Sequence, residues 1–323
     1  MGNILISALE NRENIVLLGH LHPDGDAIGS TLGLYNYLKE NYPEKKVDLY
    51  LDDPAKKFSY LAGFEEIRTE YEEGRTYELC ISLDSSDTER LGVFLPYFET
   101  AAHTLCIDHH RTNPGFAEEN LVVPEASSCS EVLFGLLDGD KISRNTAECI
   151  YTGIIHDTGV FKYSSTSRAT MDAAGFLMEK GIPFGDIIDG SFYRRNFVQN
   201  KMLGIALLKS RRILDGDCMI SVVTRNNMED NGAGPQDMDG IIDQMRNTDG
   251  IECAVLLYEG KEGEFKASLR SNHWLDVSAI AQSYGGGGHI RAAGCTLRGD
   301  ADTVTAVITN AVAEAIKKDK PNV

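Results

Sequence analysis

Short apolar runs alternate with helical patterns in the first half of the chain. Apolar stretches at 15–18, 46–51, 77–83 and 104–107 have the length and composition of strands, and apolar side chains recur at helical spacing in 31–38. Strands separated by helices are typical of βα units, in which neighbouring strands run parallel. We therefore predict an α/β fold in which a mainly parallel sheet is flanked by helices.

The second half of the chain predicts a smaller α/β domain. Residues 212–214 and 218–223 flank an Asp-Gly turn, which is a strong hairpin signal. Further strands are predicted at 251–258, 264–269 and 295–297, and helices at 236–246, 277–283 and 301–318.

A break in the pattern separates the two halves. Gly181-Ile182-Pro183 ends a helical segment, and residues 197–208 have the spacing of another amphipathic helix. We predict an N-terminal domain over 1–188, a linker helix over 189–210 and a C-terminal domain over 211–323.

Carboxylate and imidazole side chains stand where three predicted strands and one predicted helix end. Because the carboxyl ends of parallel strands meet at one edge of a sheet, we expect these side chains to surround a single site. Such ligands suit a divalent cation such as manganese, and six of them are enough for two cations. Each position alone is as well explained by a helix cap or a solvated side chain, so the prediction depends on their joint occurrence. The six candidate ligands are His20, Asp24, Asp26, Asp84, His109 and Asp157.

A glycine-rich segment in the second half is a candidate binding loop. Four consecutive glycines expose backbone N–H groups and let a phosphate or a base approach closely. No GK[ST] follows them, so the segment is not a nucleoside-triphosphate P-loop. A flexible hinge is the alternative, but the neighbouring histidine and arginines favour binding. The candidate residues for substrate binding are Arg270, Ser271, Gly286, Gly287, Gly288, His289 and Arg291.

Charge narrows the classes of partner. The 323 residues carry a formal net charge of −18 with a pI near 4.8, and this charge would repel a long polyanion. We therefore expect no binding to long duplex nucleic acid, while short phosphorylated molecules remain possible substrates.

No apolar run approaches the ~18 residues of a membrane span, and no signal peptide is recognisable. We expect a cytoplasmic protein without a membrane partner, whose seven cysteines are buried thiols.

The motifs together resemble the DHH phosphoesterases. The resemblance rests on HxxxDGDxxGS at His20 to Ser30, on Asp84, on Asp108-His109-His110 and on Asp157-Thr158-Gly159. The glycine-rich segment, with Arg291-Ala292-Ala293-Gly294 after it, resembles the signature of the DHHA1 domain that accompanies DHH domains. These motifs span residues 20 to 294 and therefore cover most of the chain.

The resemblance implies a fold and a separate role for each of the two domains. It implies an N-terminal DHH domain that is catalytic, a smaller C-terminal DHHA1 domain that binds substrate, and an active site in the cleft between them. It also implies two divalent metal ions, for which we expect Mn²⁺, with Mg²⁺ or Co²⁺ as alternatives. His20, Asp24 and Asp84 would hold one ion, and Asp26, Asp84, His109 and Asp157 the other.

Three residues are implied to be catalytic. Asp84 would bridge the two ions, Asp108 would orient a histidine ring, and His110 would stabilise charge on the phosphate or protonate the leaving oxygen. His156 departs from the smaller residue that many relatives carry before the aspartate, and it adds a further candidate ligand.

Length and domain content favour one branch of the family. The single-strand DNA exonucleases, the membrane-bound cyclic dinucleotide phosphodiesterases and the family II pyrophosphatases carry domains or segments that this chain lacks, or end in another domain. The remaining resemblance is to the nanoRNase and phosphoadenosine-phosphate phosphatase group. It implies hydrolysis of very short RNA and dinucleotides to mononucleotides, and of 3′-phosphoadenosine 5′-phosphate (PAP) to AMP. A phosphodiesterase of cyclic di-AMP or linear pApA and a non-catalytic nucleotide sensor are the alternatives, and the resemblance suggests a homodimer.

Overall fold

The first compact unit of the protein contains a five-stranded parallel sheet. The computed structural model describes residues 3–321, and the chain divides into two units between Arg194 and Arg195. The strands of the first unit are β1 (Asn14–Leu18), β2 (Lys46–Tyr50), β3 (Leu79–Leu83), β4 (His103–Asp108) and β5 (Glu119–Val122). Their order across the sheet is β2-β1-β3-β4-β5, and every neighbouring pair runs parallel. This arrangement confirms the predicted parallel sheet.

Helices cover both faces of this sheet. All five residues of β3 are buried, as expected for a parallel strand covered on both sides. One face packs on the core that includes Ile15, Leu17 and Ile81, and the other on the core that includes Val16 and Cys80. The helices are α1 (Ile4–Leu9), α2 (Gly25–Asn41), α3 (Leu95–Thr100), α4 (Cys129–Phe134), α5 (Arg144–Asp157), α6 (Arg168–Glu179) and α7 (Phe184–Ile188).

Helix α2 begins earlier than the apolar pattern predicts. It starts at Gly25, inside the polar motif, because the Asp24 carboxylate accepts hydrogen bonds from the amides of Asp26 and Ala27 and caps the helix. Asp26 therefore lies in the first turn of a helix whose residues are almost all buried up to Leu38.

Two glycines let α2 and α5 approach closely. A Cβ atom at Gly29 would lie 2.6 Å from both the Cys149 carbonyl oxygen and the Gly153 nitrogen. A Cβ atom at Gly153 would in turn lie 2.6 Å from Asp26 Oδ1. The glycines therefore bring the backbones of the two helices together and leave space for the Asp26 carboxylate between them.

The second unit contains a six-stranded mixed sheet. Its strands are β6 (Arg211–Ile213), β7 (Cys218–Val223), β8 (Cys253–Lys261), β9 (Glu264–Ser271), β10 (Gly287–His289) and β11 (Ala292–Arg298). Their order is β10-β11-β9-β8-β7-β6, and only the β7–β8 pair is parallel among these described strands. The helices are α8 (Phe197–Lys209), α9 (Arg225–Glu229), α10 (Ile241–Arg246), α11 (Val277–Gln282) and α12 (Ala301–Asp319).

The structure adds details that the sequence pattern did not predict. Strand β5 was not predicted, and part of the glycine-rich segment pairs with β11 as β10. Helix α8, inside the segment predicted as a linker helix, lies in the second unit, where Met202 and Ala206 are buried in its core. The boundaries at 188 and 210 stay predictions. All seven cysteines are buried free thiols, as predicted, and within 3–321 no helix has the length and apolarity to cross a bilayer.

The close approach of α2 and α5 predicts opposite effects for two glycine substitutions. Gly29→Ala should destabilise the protein by about 1–3 kcal/mol, because the new methyl group meets rigid backbone atoms. Gly175→Ala, in the exposed face of α6 with no atom near the new Cβ, should stabilise it by about 0.5–1 kcal/mol through helix propensity. Urea unfolding followed by circular dichroism tests both. Equal stabilisation by the two substitutions would contradict the packing argument.

Candidate metal centre

Candidate ligands follow three neighbouring strands and lie at one edge of the first sheet. Strands β1, β3 and β4 are adjacent and parallel, and the register pairs Leu18 with Ser82 and Leu83 with Ile107. Because the strands end at the same level, the residues that follow them converge. The structure thus brings together His20, Asp84 and His109 at the carboxyl edge of the sheet, with Asp24 and Asp26 at the start of α2 and Asp157 at the end of α5.

His20, Asp24 and Asp84 form the first cluster. His20 Nε2 lies 3.8 Å from Asp24 Oδ1 and 3.6 Å from Asp84 Oδ2, and the imidazole is buried. His20 Nδ1 lies 2.8 Å from the Leu21 carbonyl oxygen, which can only accept, so Nδ1 carries a proton. The Arg90 guanidinium lies 3.0 Å from the same nitrogen. In the tautomer that donates to the Leu21 carbonyl oxygen, Nε2 is the nitrogen that faces the carboxylates, as in a metal-binding histidine.

His109, Asp26, Asp84 and Asp157 form the second cluster. His109 Nε2 lies 3.1 Å from Asp157 Oδ2, 3.6 Å from Asp84 Oδ1 and 4.0 Å from Asp26 Oδ2. His109 Nδ1 lies 3.4 Å from the Ala126 carbonyl oxygen and donates to it. Nε2 is therefore the ring nitrogen that faces the carboxylates, and it can bind a cation once its own proton is lost.

Asp26 is fixed by backbone amides that sequence reasoning missed. The Cys129 amide donates to Asp26 Oδ2 at 2.6 Å, and the Ser130 amide donates to Oδ1 at 3.0 Å. Both amides lie at the start of α4, where the first N–H groups of a helix have no partner within it. No motif in the sequence links Asp26 to residues 129–130, and a Ser128 cap for α4 was the only local signal.

Asp84 lies between the two clusters. It is 2% exposed, its φ of 56° places it in the left-handed region, and its amide donates to the Ile107 carbonyl oxygen. Among the described residues, Asp84 Oδ1 has no hydrogen-bond partner although it is buried. A buried carboxylate oxygen without a partner costs free energy unless a cation binds it. The donor set therefore fits two cations that share Asp84.

The electrostatics of the centre follow from crowded, buried charges. Burial and the nearby Asp157 charge raise the pKa of Asp26 to about 7, and burial with the neighbouring carboxylates raises the pKa of Asp84 well above its usual range. Burial would lower the pKa of His109, but Asp157 and Asp26 raise it to about 9. Protons thus take the place of positive charge that a cation would supply.

Asp108 orients His110 at the rim of the centre. His110 Nδ1 donates to Asp108 Oδ1 at 2.8 Å, and Asn113 donates to Asp108 Oδ2 at 2.7 Å. Asp108 is fully buried, and although burial acts in the opposite direction, the hydrogen bonds from His110 and Asn113 lower its pKa. His110 remains partly exposed, so Nε2 is left for another partner. Sequence reasoning missed Asn113.

His156 is not among the grouped ligands of the described residues. Its Nε2 lies 3.1 Å from Ser191 Oγ, and burial lowers its pKa to about 4, so the ring is neutral. The ring packs against Gly25 and Phe58 instead.

The two arginines and the serine that are predicted to bind substrate lie next to one another in the second unit. The Ser271 amide donates to the Arg291 carbonyl oxygen, and the buried Ser271 hydroxyl donates to the Leu275 carbonyl oxygen at 2.7 Å. The Arg291 guanidinium donates to the Leu275 and His273 carbonyl oxygens. Arg270 forms an ion pair with Asp243, with Nε 3.3 Å from the carboxylate. Ser271 and Arg291 therefore already stabilise the segment that follows β9.

The glycines of the binding segment have different roles. A Cβ atom at Gly286 would lie 2.2 Å from the Gly294 carbonyl oxygen, and one at Gly288 would lie 2.4 Å from the Ala292 carbonyl oxygen. These two glycines allow β10 to pair with β11, and Gly288 has a φ of 139°. Gly287 has open space around it, and His289 is exposed on this edge strand.

Comparisons with known proteins identify the family of the chain. Residues 14–154 match the model of the DHH family N-terminal domain, and residues 215–318 match the DHHA1 domain. The chain is 31% identical over 308 residues to the bifunctional oligoribonuclease and PAP phosphatase NrnA of Thermus thermophilus, covering 94% of this chain and 90% of that protein. It is 27% identical to the protein of the same name from Bacillus subtilis, over 91% of this chain and 92% of that protein.

A solved structure has the same fold over nearly the whole chain. An exopolyphosphatase-related protein from Bacteroides fragilis superimposes with a TM-score of 0.85 at 26% identity, covering 97% of this chain and 95% of that one. The sequence resemblance, the two domain matches and the metal-binding geometry agree. This chain therefore belongs to the DHH family of phosphoesterases, in the form that joins a DHH domain to a DHHA1 domain.

Proposed function

We propose that this phosphoesterase hydrolyses very short RNA and dinucleotides to mononucleotides, and PAP to AMP, with two divalent cations, Mn²⁺ in the first instance. The observation that carries the proposal is the position of Asp84, which groups with His20 and Asp24 and also with His109 and His110, and whose buried Oδ1 has no partner among the described residues. The names of the Thermus and Bacillus relatives support the choice of substrates.

His20 and Asp24 would hold one cation, and Asp26, His109 and Asp157 would hold the other. Asp84 would be shared, since it groups with His20 and Asp24 and also lies 3.6 Å from His109. When bound, such a pair stabilises charge on the phosphoryl oxygens and lowers the pKa of the attacking water. The Leu21 and Ala126 carbonyl oxygens keep the protons of both histidines on Nδ1, so that each Nε2 can bind.

His110 supplies the proton for the leaving oxygen. Asp108 accepts its Nδ1 hydrogen bond and fixes the ring, and Asn113 fixes Asp108. Because Nδ1 is bonded to Asp108, His110 has Nε2 left to donate to the substrate, as a general acid does. The Nε2 proton passes to the ribose oxygen as the phosphorus–oxygen bond breaks.

The second unit recognises the phosphate that is not cleaved. His289 and the open backbone at Gly287 offer donors on an exposed edge strand, and Arg270 offers a guanidinium with a single carboxylate partner. Ser271 and Arg291 position this surface through their bonds to the Leu275 carbonyl oxygen. Gly286 and Gly288 are needed for the backbone path.

The proposal includes the location of the enzyme, its oligomeric state and the partners that it does not bind. We infer a cytoplasmic homodimer that binds no membrane and no long duplex nucleic acid. The net charge of −18 supports the preference for short substrates, because long strands bind through many phosphate contacts to cationic side chains.

Metal removal should make the stability of the protein fall as pH rises. In chelator, the free energy of unfolding should fall as pH rises from 4 to 7, because the Asp26 pKa is raised to about 7 in the folded protein, and fall further towards pH 9 as His109 loses its proton. Each group contributes up to about 1.4 kcal/mol per pH unit. With Mn²⁺ the fall should be absent, since the cation binds the deprotonated ligands. Thermal unfolding across this pH range, with and without Mn²⁺, provides the measurement.

The same measurement on the variant Asp84→Asn provides a second test of the metal assignment. Asp84→Asn removes one buried negative charge, so at pH 8 in chelator it should be more stable than the wild type, and Mn²⁺ should stabilise it less. An identical pH slope with and without Mn²⁺ in the wild type would contradict the metal assignment.

Asp84→Asn should also abolish hydrolysis. We expect the rate of mononucleotide release from pApA, a five-residue RNA and PAP to fall by more than about 100-fold, because even residues that only support a metal ligand are worth 10–100-fold. Ser82→Ala is the control on the same strand. It removes a buried hydroxyl that has no partner among the described residues, and it should keep wild-type rates. Chromatography of the products gives the readout.

The same panel, extended by cyclic di-AMP, separates the alternatives. Cleavage restricted to pApA and cyclic di-AMP would assign the protein to dinucleotide turnover and overturn the nanoRNase proposal. Binding of nucleotides without any turnover by the wild type would favour a nucleotide sensor.

His289→Ala should weaken substrate binding more than chemistry. We expect KM for PAP to rise by roughly 10-fold, the loss of one hydrogen bond to a charged group, with a smaller change in kcat. His273→Ala, another exposed histidine of the second unit, is the control and should leave both constants unchanged. Steady-state kinetics with Mn²⁺ distinguish these outcomes, and an unchanged KM for His289→Ala would remove this residue from the binding surface.

A further inference from the structure

Two exposed aromatic side chains next to the metal centre have no role in the chemistry described above. Phe192 is 37% exposed and Tyr193 is 53% exposed, and their ring centroids are 5.2 Å apart. The Phe192 ring also lies 5.4 Å from the His156 ring, which in turn lies 5.0 Å from the Phe58 ring. We call Phe192 and Tyr193 the aromatic platform, supported by the half-buried His156 and the buried Phe58.

His156, which supports the platform, is in contact with the segment that carries the candidate ligands Asp24 and Asp26. His156 precedes the candidate ligand Asp157, and its side chain fills the space above Gly25, where an added Cβ would lie 2.2 Å from His156 Cγ. Gly25 stands between the candidate ligands Asp24 and Asp26. Consecutive contacts therefore lead from the ligands through Gly25 and His156 to the exposed Phe192 ring. The platform is therefore separated from the candidate ligands Asp24 and Asp26 by Gly25 and His156 alone along this path.

The local backbone holds the two rings outward. Residues Asp189–Tyr193 form a π-helical turn, closed by the hydrogen bond from the Arg194 amide to the Asp189 carbonyl oxygen. Buried Ser191 fixes this turn, since its hydroxyl donates to the Ile187 carbonyl oxygen and lies 3.1 Å from His156 Nε2. Single π-helical turns are rare and are frequent at functional sites. The turn places Phe192 and Tyr193 on the surface although their rings would gain from burial.

We propose that the aromatic platform stacks on a nucleobase of the substrate whose phosphate is cleaved at the metal centre. The inference rests on the proposed function, and it assigns base recognition to Phe192 and Tyr193. Stacking suits short RNA of mixed sequence because every base has a π-face. It also suits a protein with a net charge of −18, since stacking supplies affinity that does not depend on cationic side chains.

Phe192→Ala tests the platform through a comparison of substrates with and without a base. KM for PAP should rise by about 5-fold to 100-fold, as expected for the loss of one base–aromatic stack, while KM for ribose 3,5-bisphosphate should stay within about 2-fold of the wild-type value. Phe192→Trp keeps an aromatic face and should restore the KM for PAP. Tyr71→Ala is the matched control, because Tyr71 is 40% exposed and contacts another ring, Tyr97, in the core on the opposite face of the first sheet.

A binding measurement separates this inference from the proposed function. Calorimetric titration should show that the wild type binds AMP more tightly than ribose 5-phosphate, and that Phe192→Ala loses this preference even if no member of the substrate panel is hydrolysed. Equal affinities of the wild type for the two ligands would overturn the platform, as would an equal rise in KM for PAP and ribose 3,5-bisphosphate. A changed sedimentation coefficient of Phe192→Ala, with base preference intact, would assign the rings to contact between copies of the chain and would also overturn it.

Discussion

The burial of several carboxylates at one point is the constraint on which this structure depends. Asp26 and Asp84 lie inside the protein, where water cannot solvate them, and the nearby charge of Asp157 adds to the repulsion. Such an arrangement costs free energy in the metal-free protein, and positive charge has to compensate for it. A divalent cation bound by these residues would supply that positive charge. A ligand set that is already in place loses little entropy when a metal binds.

The first unit provides this arrangement through simple packing. Parallel strands of equal register end at one level and place His20, Asp84 and His109 side by side. The remaining ligands come from helix ends, and these depend on the close approach of α2 and α5 at Gly29 and Gly153. Larger residues at the glycines would separate the helices and displace Asp26. Conformational stability and metal binding are therefore linked at the same two positions.

Much of the site could be predicted because it follows from strand periodicity. Apolar runs marked the strands of the first sheet, and parallel pairing then required the polar residues after three of them to meet. Contacts between segments distant in the sequence could not be predicted in this way. The amides of Cys129 and Ser130 fix Asp26 across more than one hundred residues, and Asn113 fixes Asp108 through a loop. Those partners use backbone groups or a side chain outside any motif, so no sequence pattern marks them.

The glycine-rich segment shows why residue type alone did not determine local structure. Four glycines predicted an open loop, yet Gly287 and Gly288 belong to an edge strand, because strand β11 offers a partner and the missing side chains permit close pairing. In the same region the Ser271 hydroxyl and the Arg291 guanidinium are occupied by backbone carbonyl oxygens of a neighbouring segment. A polar residue near a binding surface can act by shaping that surface as well as by touching the ligand.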